Sequence, residues 1–339
     1  PRQEDPQISV PMIDIFVQYP GASADQVASL VTEPLERIMY QIPGVRHVYS
    51  ASQRGQAMVT VRFLVGEPLG PSIVKVHDKI QSNLDKIPPG VTPPLVKPKG
   101  IDDVPVVTVT LSSDGVDDAA LRTLGMDVLQ RLREVHNTGQ GFVVGGRTEQ
   151  VRVEVVPERL AGYGMTMDKL AQTINSANQQ MQAGSTESGN AAFSVYTGSF
   201  LRTADEISRL VVGTRGGIPV YVSDIAKVIH GPEEARQIVG YYTGAAAAED
   251  EKTADAEPAV TIALAKKEGS NGVTVANDIL DKLELLRGHL IPDNVRVSIT
   301  RDYGKTANDK VNELLTALFE AALAVAVLCL IGLGFRAAF

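Results

Sequence analysis

Cysteine is nearly absent from this sequence. Cys329 stands alone among 339 residues, so the chain can form neither an internal disulfide framework nor a cysteine-based zinc site. Clustered basic residues are missing too. With a formal charge of −8 and a sequence pI near 5.3, the chain offers no Lys/Arg patch of the kind phosphate binding requires, and a nucleic-acid partner is excluded. His47, His77, His136, His230 and His289 are far apart in sequence and form no HExxH-type ligand pair, so they are read as structural or surface residues.

Catalytic signatures are lacking as well. In "GQGFVVGGRT", Val144 stands where a dinucleotide fingerprint needs its third glycine, and the following "EQVRVEVV" alternates like a strand where a helix must begin. There is no G-x-S-x-G elbow and no P-loop. The pairs Asp102-Asp103 and Glu233-Glu234 lie beside Pro105 and Pro232 in loops, and read as solvated carboxylates rather than a tuned acid and base. Met165, Met167 and Met181 carry soft thioethers that a Cu(I) exporter could use, but their spacing favours core filling. The sequence therefore implies no enzyme, no cofactor and no metal site. The start, "PRQEDPQISV", has no initiator Met and no signal-peptide pattern, and the chain is read as a piece of something longer.

What is present at the other end is "EAALAVAVLCLIGLGFRAAF". Ala317 to Phe335 makes about 28 Å of helix at ~1.5 Å per residue, close to the roughly 30 Å hydrocarbon thickness of a bilayer. One membrane span is expected, with Glu320 near its first end and Arg336 closing the other. The alternative is a buried core helix, apolar all round. Upstream, "YGKTANDKVNELLTALFEAALAV" puts Val311, Leu314, Leu315 and Leu318 on one face and runs into the tail without Gly or Pro, as a single rod would.

The body before the tail reads as a repeat. Ile8 to Tyr19 is a strand interrupted at Pro11, and the next segment places Val27, Leu30, Val31, Leu35 and Ile38 on one helical face, kinked or split by Pro34. "VRHVYSASQ" and "AMVTVRFLV" form a hairpin about Arg54-Gly55, followed by a helix with Ile73, Val76, Ile80, Leu84 and Ile87 in register. The proline-rich "IPPGVTPPLVKPKG" marks a boundary. Strand, helix and strands then return, break off across roughly 151–236, and resume in "AVTIALAKKE", "TVANDILDKLELLRGHL" and "NVRVSITRD". Within the break, "MTMDKLAQTINSANQQM" reads as a helix and "AGSTESGNAAFSVYTGSF" as a long exposed loop or hairpin. The polar run "GAAAAEDEKTADAEP" is a surface loop.

Against this background, "VQYPGASADQVASLVTEPLERIMYQIPGVRHVYSASQRGQAMVTVRF" resembles the segment after the first membrane helix of resistance-nodulation-division (RND) efflux permeases. "YGMTMDKLAQTINSANQQMQAG", "VYVSDIAKV", "AVTIALAKKEGSN" and "GFRAAF" extend the resemblance over essentially the whole chain in order. What it implies is an α+β fold of repeated βαββαβ, ferredoxin-like porter subdomains with an inserted docking subdomain and a C-terminal transmembrane helix. The implied boundaries are 1–104 for the first porter, 105–150 with 237–303 for the second, 151–236 for the docking insert, 304–316 for a connector and 317–335 for the membrane helix.

The resemblance further implies a proton-driven inner-membrane exporter of small amphiphilic compounds with most of this chain in the periplasm. It would be a homotrimer working with a periplasmic adaptor and an outer-membrane channel. Proton-relay residues are expected in later membrane helices. A hairpin carrying Phe193, Val195, Tyr196 and Phe200 would reach the next protomer, and Val107, Ile238 and Arg301 would fall at pocket-wall positions. Drug-exporting relatives carry phenylalanines where this chain has Val104 and Gly145, and tryptophan is absent. Heavy-metal export, protein export or lipid handling within the same superfamily, and a single-span anchored binding domain, stay open as alternatives.

Overall fold

In the computed structural model, residues 10–189, 191–235, 237–244 and 253–333 are described. Alternation builds the first sheet. β1 (Met12–Gln18) turns Ile13, Ile15 and Val17 into the core, while Asp14 on its other face is buried, accepts a hydrogen bond from Thr60 (2.6 Å) and pairs with Lys99. Any start of the strand at Ile8 lies outside the described residues.

The periodic segment after β1 does not form one helix. α1 (Ala24–Val27) opens with a capping box between Ser23 and Gln26, a π turn follows over Ala28–Thr32, and α2 (Glu33–Met39) carries Pro34 in its first turn. In the wide turn the Glu33 N–H bonds Ala28 O, and Pro34, which has no N–H to give, follows directly. The extra residue rotates the register. Val27 and Val31 are buried and Leu35 and Ile38 pack against the core, but Leu30 is exposed and Met39 is buried in its stead. Leu30 instead lines a small apolar crevice of ≈ 50 Å³ with Pro34, Ile80 and Pro88.

β2 (Val45–Gln53) and β3 (Gln56–Phe63) meet at Gly55, whose φ of +75° suits the turn. α3 (Leu69–Gln81) buries Val76 and Ile80 but stops before Leu84 and Ile87, which the helical register had included. There the Asn83 amide donates to Lys79 O (2.8 Å) and closes the helix, and Leu84 is exposed in a separate 3₁₀ turn. The proline-rich stretch is more than a boundary, because it supplies β4 (Leu95–Lys99). β4 is an edge strand paired only with β1, where Pro98 costs no central ladder bond, and the antiparallel order is β2-β3-β1-β4.

The second sheet begins with β5 (Pro105–Ser112), α4 (Asp118–Leu132) and β6 (Thr138–Val144). The chain then makes β7 (Glu149–Val155), α5 (Pro157–Gly162), α6 (Met167–Ala177), β8 (Met181–Ser188), β9 (Ala191–Thr197), α7 (Ala204–Ser208), β10 (Val211–Arg215), β11 (Ile218–Tyr221), α8 (Val222–Ile225) and β12 (Ala226–Pro232) before returning. β13 (Gly240–Tyr241), β14 (Glu257–Lys266), α9 (Gly272–Leu286) and β15 (Arg296–Asp302) follow. β14 inserts between β6 and β5, and β15 flanks β5, so the antiparallel order β6-β14-β5-β15 repeats the relative order of the first sheet. β13 extends the β6 edge of β14. α4 lies close over this sheet: a Cβ on Gly125 would sit 3.2 Å from Val260 Cγ2. Most of the polar run at 244–258 lies outside the described residues.

The described residues divide into two compact units, Pro1–Gly115, Leu124–Val144 and Gly240–Phe339 in one, Val116–Thr123 and Gly145–Val239 in the other. In the second unit β7 pairs antiparallel with β12, and Leu160, Leu170, Ile207, Val212, Val222 and Ile225 form the core. Core filling holds for Met165, which is buried there, whereas Met167 and Met181 are exposed. Met181 opens β8 instead of ending the helix, since α6 stops at Ala177 and Asn178 Oδ1 accepts from Leu201 N (2.8 Å). The Gly/Ser/Thr-rich stretch is the β8–β9 hairpin.

α10 (Tyr303–Leu333) is continuous from the end of β15 into the apolar tail. Its most apolar 18-residue window, within Tyr303–Leu328, has a mean hydropathy of 1.8, and Leu314, Leu315, Leu318, Phe319 and Leu323 are exposed. Phe335 and Arg336, the expected end of the span and its flank, lie outside the described residues, as does the side chain of Cys329.

Candidate functional site

One face of the second sheet is floored with hydroxyls. Alternation along β5 sends Val107, Val109 and Leu111 to one side and Thr108, Thr110 and Ser112 to the other. Thr110 Oγ1 lies 2.9 Å from Thr261 Oγ1, Thr108 Oγ1 lies 2.9 Å from Thr300 Oγ1, and Ser112 Oγ donates to Glu257 (3.2 Å). Each hydroxyl is satisfied within the sheet, so the floor is rigid and presents little unspent hydrogen-bonding capacity. At one margin Arg296 pairs with Glu257 (3.4 Å) and stacks over Tyr241 at 5.3 Å, while Ser298 Oγ donates to the Tyr241 hydroxyl (3.1 Å).

On the β6 margin the side chains are apolar. Cross-strand from Ala263 and Thr261, Phe142 and Val144 are exposed, Phe142 at 45%. Gly141, the residue before Phe142, faces the other way: a Cβ there would lie 2.7 Å from Leu129 Cδ1 under α4. "GFVVGG" reads as a strand in the sequence, but nothing there marks Phe142 as facing outward beside the hydroxyl floor.

Val107 and Arg301 lie on adjacent strands, with Asp302 opposite Val107 and Arg301 opposite Thr108. Val107 is fully enclosed, and Arg301 is exposed with its guanidinium 4.4 Å from the Tyr303 ring. Ile238 belongs to the other compact unit and is 88% exposed. In that same unit every residue of β9 is exposed, so Phe193, Val195 and Tyr196, with Phe200 just beyond, present apolar side chains to solvent. Such a hairpin is an unspent contact surface.

Among the described residues, the Asp118–Arg147 pair is electrostatically perturbed, and its role is structural. Arg147 grips Asp118 with both arms of its guanidinium (2.7–3.0 Å), and this hydrogen-bonded pairing lowers the carboxyl below its ordinary value against a smaller opposing effect of burial. Arg147 is raised correspondingly by Asp118. Among the described residues no three His, Cys, Asp or Glu side chains gather as a metal-binding group.

The family model described as the AcrB/AcrD/AcrF family matches residues 1–338. The chain belongs to this family. It is thus an RND permease-like member, and AcrB-family members are transporters, not enzymes. Association with a membrane follows from the AcrB family together with α10, whose exposed apolar length matches a bilayer.

Proposed function

We propose that this chain forms the periplasmic porter and docking parts of a proton-driven RND permease that exports small amphiphilic compounds as a homotrimer, with an adaptor and an outer-membrane channel. The observation that carries it is α10: a helix long and apolar enough to cross a membrane, with exposed apolar side chains from Leu314 to Leu328, leaves the body of an AcrB-family chain, and a lipid environment would cover that surface. Residues 1–104, and 105–150 with 237–303, are the two ferredoxin-like porters in this proposal, and the common strand order of the two sheets supports it. Residues 151–236 are the docking insert, 304–316 the connector and 317–335 the membrane helix.

Amphiphiles suit the second sheet because Phe142 and Val144 supply apolar area beside a polar floor, and Arg301 adds one placed charge. Val107 acts from beneath by fixing the sheet, and Ile238, exposed on the other unit, is a separate apolar contact of that unit. The exposed apolar hairpin supports docking into a neighbouring protomer.

Orientation tests the proposal. In a full-length permease lacking its native cysteines, Ser270→Cys, outside the docking hairpin, should react with a membrane-impermeant maleimide in cells whose outer membrane alone is permeabilised. Reaction only after the inner membrane is opened would overturn the periplasmic placement.

A further inference from the structure

We propose that the Asp102–Lys266 ion pair is a latch that fastens the link between the two sheets of the first unit and sets whether that link can loosen. The inference goes beyond the transport reading and stands on this unit's geometry alone. Lys266, the last residue of β14, is 6% exposed, yet its ammonium faces the carboxylate of Asp102, 164 positions earlier in the chain. Asp102 sits in the 3₁₀ turn Ile101–Asp103, the whole connection between β4 and β5.

The two ends of the pair are held differently. On the lysine side the backbone is pinned: a Cβ on Gly139 would lie 2.5 Å from the Lys266 carbonyl oxygen, and Lys267 N donates to Asn137 O (2.8 Å). On the aspartate side the hydrogen bonds are internal to the turn, from Gly100 N to the Asp103 carboxylate (2.7 Å), from Asp103 N to Gly100 O (3.2 Å) and from Val104 N to Ile101 O (3.3 Å). The turn packs against β14 and β6, and the ion pair is the polar tie that holds it there.

Water decides whether parting is feasible. A buried ion pair broken in a dry core leaves uncompensated charges and is strongly destabilising. Here the pair borders an open cleft of ≈ 730 Å³ lined also by Glu67, Leu69, Gly70 and Gln140. At about 30 Å³ per water that space can hydrate both groups after they separate. The closed state keeps a charge-assisted bond and the open state keeps two hydrated ions, which makes the link two-state rather than merely fixed.

The test is hydrogen exchange by mass spectrometry on the full-length permease and two variants. Asp102→Asn removes the acceptor charge, and Lys266→Met removes the cation while keeping the length and apolar stem. In both, exchange of the Asp103 and Val104 amides should quicken at least about tenfold, while peptides covering Val59–Phe63 and Val260–Leu264 stay at the parent rate. Unchanged exchange in both variants would overturn the latch. Loosening in Asp102→Asn alone would assign the effect to an unpaired buried charge and would also overturn it. Equal quickening of the core peptides would make the pair a general support of the fold, again contradicting the proposal.

Discussion

Gly304 and Ala276 are in backbone-level contact: a Cβ on Gly304 would lie 2.5 Å from the Cβ of Ala276. The first turn of α10 is thereby seated on α9, and the Asp302 carboxylate, accepting from Lys305 N (2.9 Å), fixes where the helix starts. α10 is thus joined to the body by packing as well as by the chain.

Gly304→Val should force that seat open. Overpacking of this kind costs about 1–3 kcal/mol, so the thermal midpoint of the purified protein should fall by several degrees. An unchanged midpoint would mean that α10 can shift on α9 at no cost.

The Asp118–Arg147 pair sets a pH signature. Because the folded carboxyl titrates below its ordinary value of 3.8, the stability it adds is fully present above that value and is lost as pH falls through the lowered one. Asp118→Asn should therefore be less stable than the parent at neutral pH, with the gap closing in acid below pH 3.8. Melts across a pH series read this directly, and a constant gap would contradict it.

Phe193→Glu with Tyr196→Glu should weaken trimers without unfolding the protomer, since both side chains are exposed on the hairpin. Native mass spectrometry of the full-length permease would show protomers in place of trimers. Trimers surviving at the parent's dissociation concentration would remove the hairpin from the interface.

Val107 and Phe142 should respond oppositely to change. Val107→Trp inserts bulk at a fully enclosed position and should lower the amount of folded protein. Phe142→Ala, at an exposed position, should leave the fold intact and reduce export of aromatic amphiphiles at equal expression, and Arg301→Glu should selectively reduce export of anionic ones. Normal export by both surface variants would remove this face from the route.

Much of the fold was legible wherever local pattern and burial agree. β2 has the bounds that alternation assigned it, the turn falls at Arg54-Gly55, and the strands after the long break do join those before it. Two failures share a cause, since each asked a fixed period to hold across a local irregularity, and a third has another. Leu30 was misplaced by the π turn, Leu84 and Ile87 by a helix closed early by Asn83, and β4 was unseen because proline is tolerated at an edge that sequence alone does not reveal. The candidate surface was less legible still. Thr108, Thr110, Thr261 and Thr300 come together only through the register of three strands, and no spacing in the sequence announces that.

The most direct measurement is accumulation of a fluorescent amphiphilic dye in cells that lack their own exporters and express the complete permease with its adaptor and channel. The account expects lower accumulation than in cells without the permease, and recovery of full accumulation when an uncoupler collapses the proton gradient. Equal accumulation with and without a properly folded, membrane-inserted permease would contradict it.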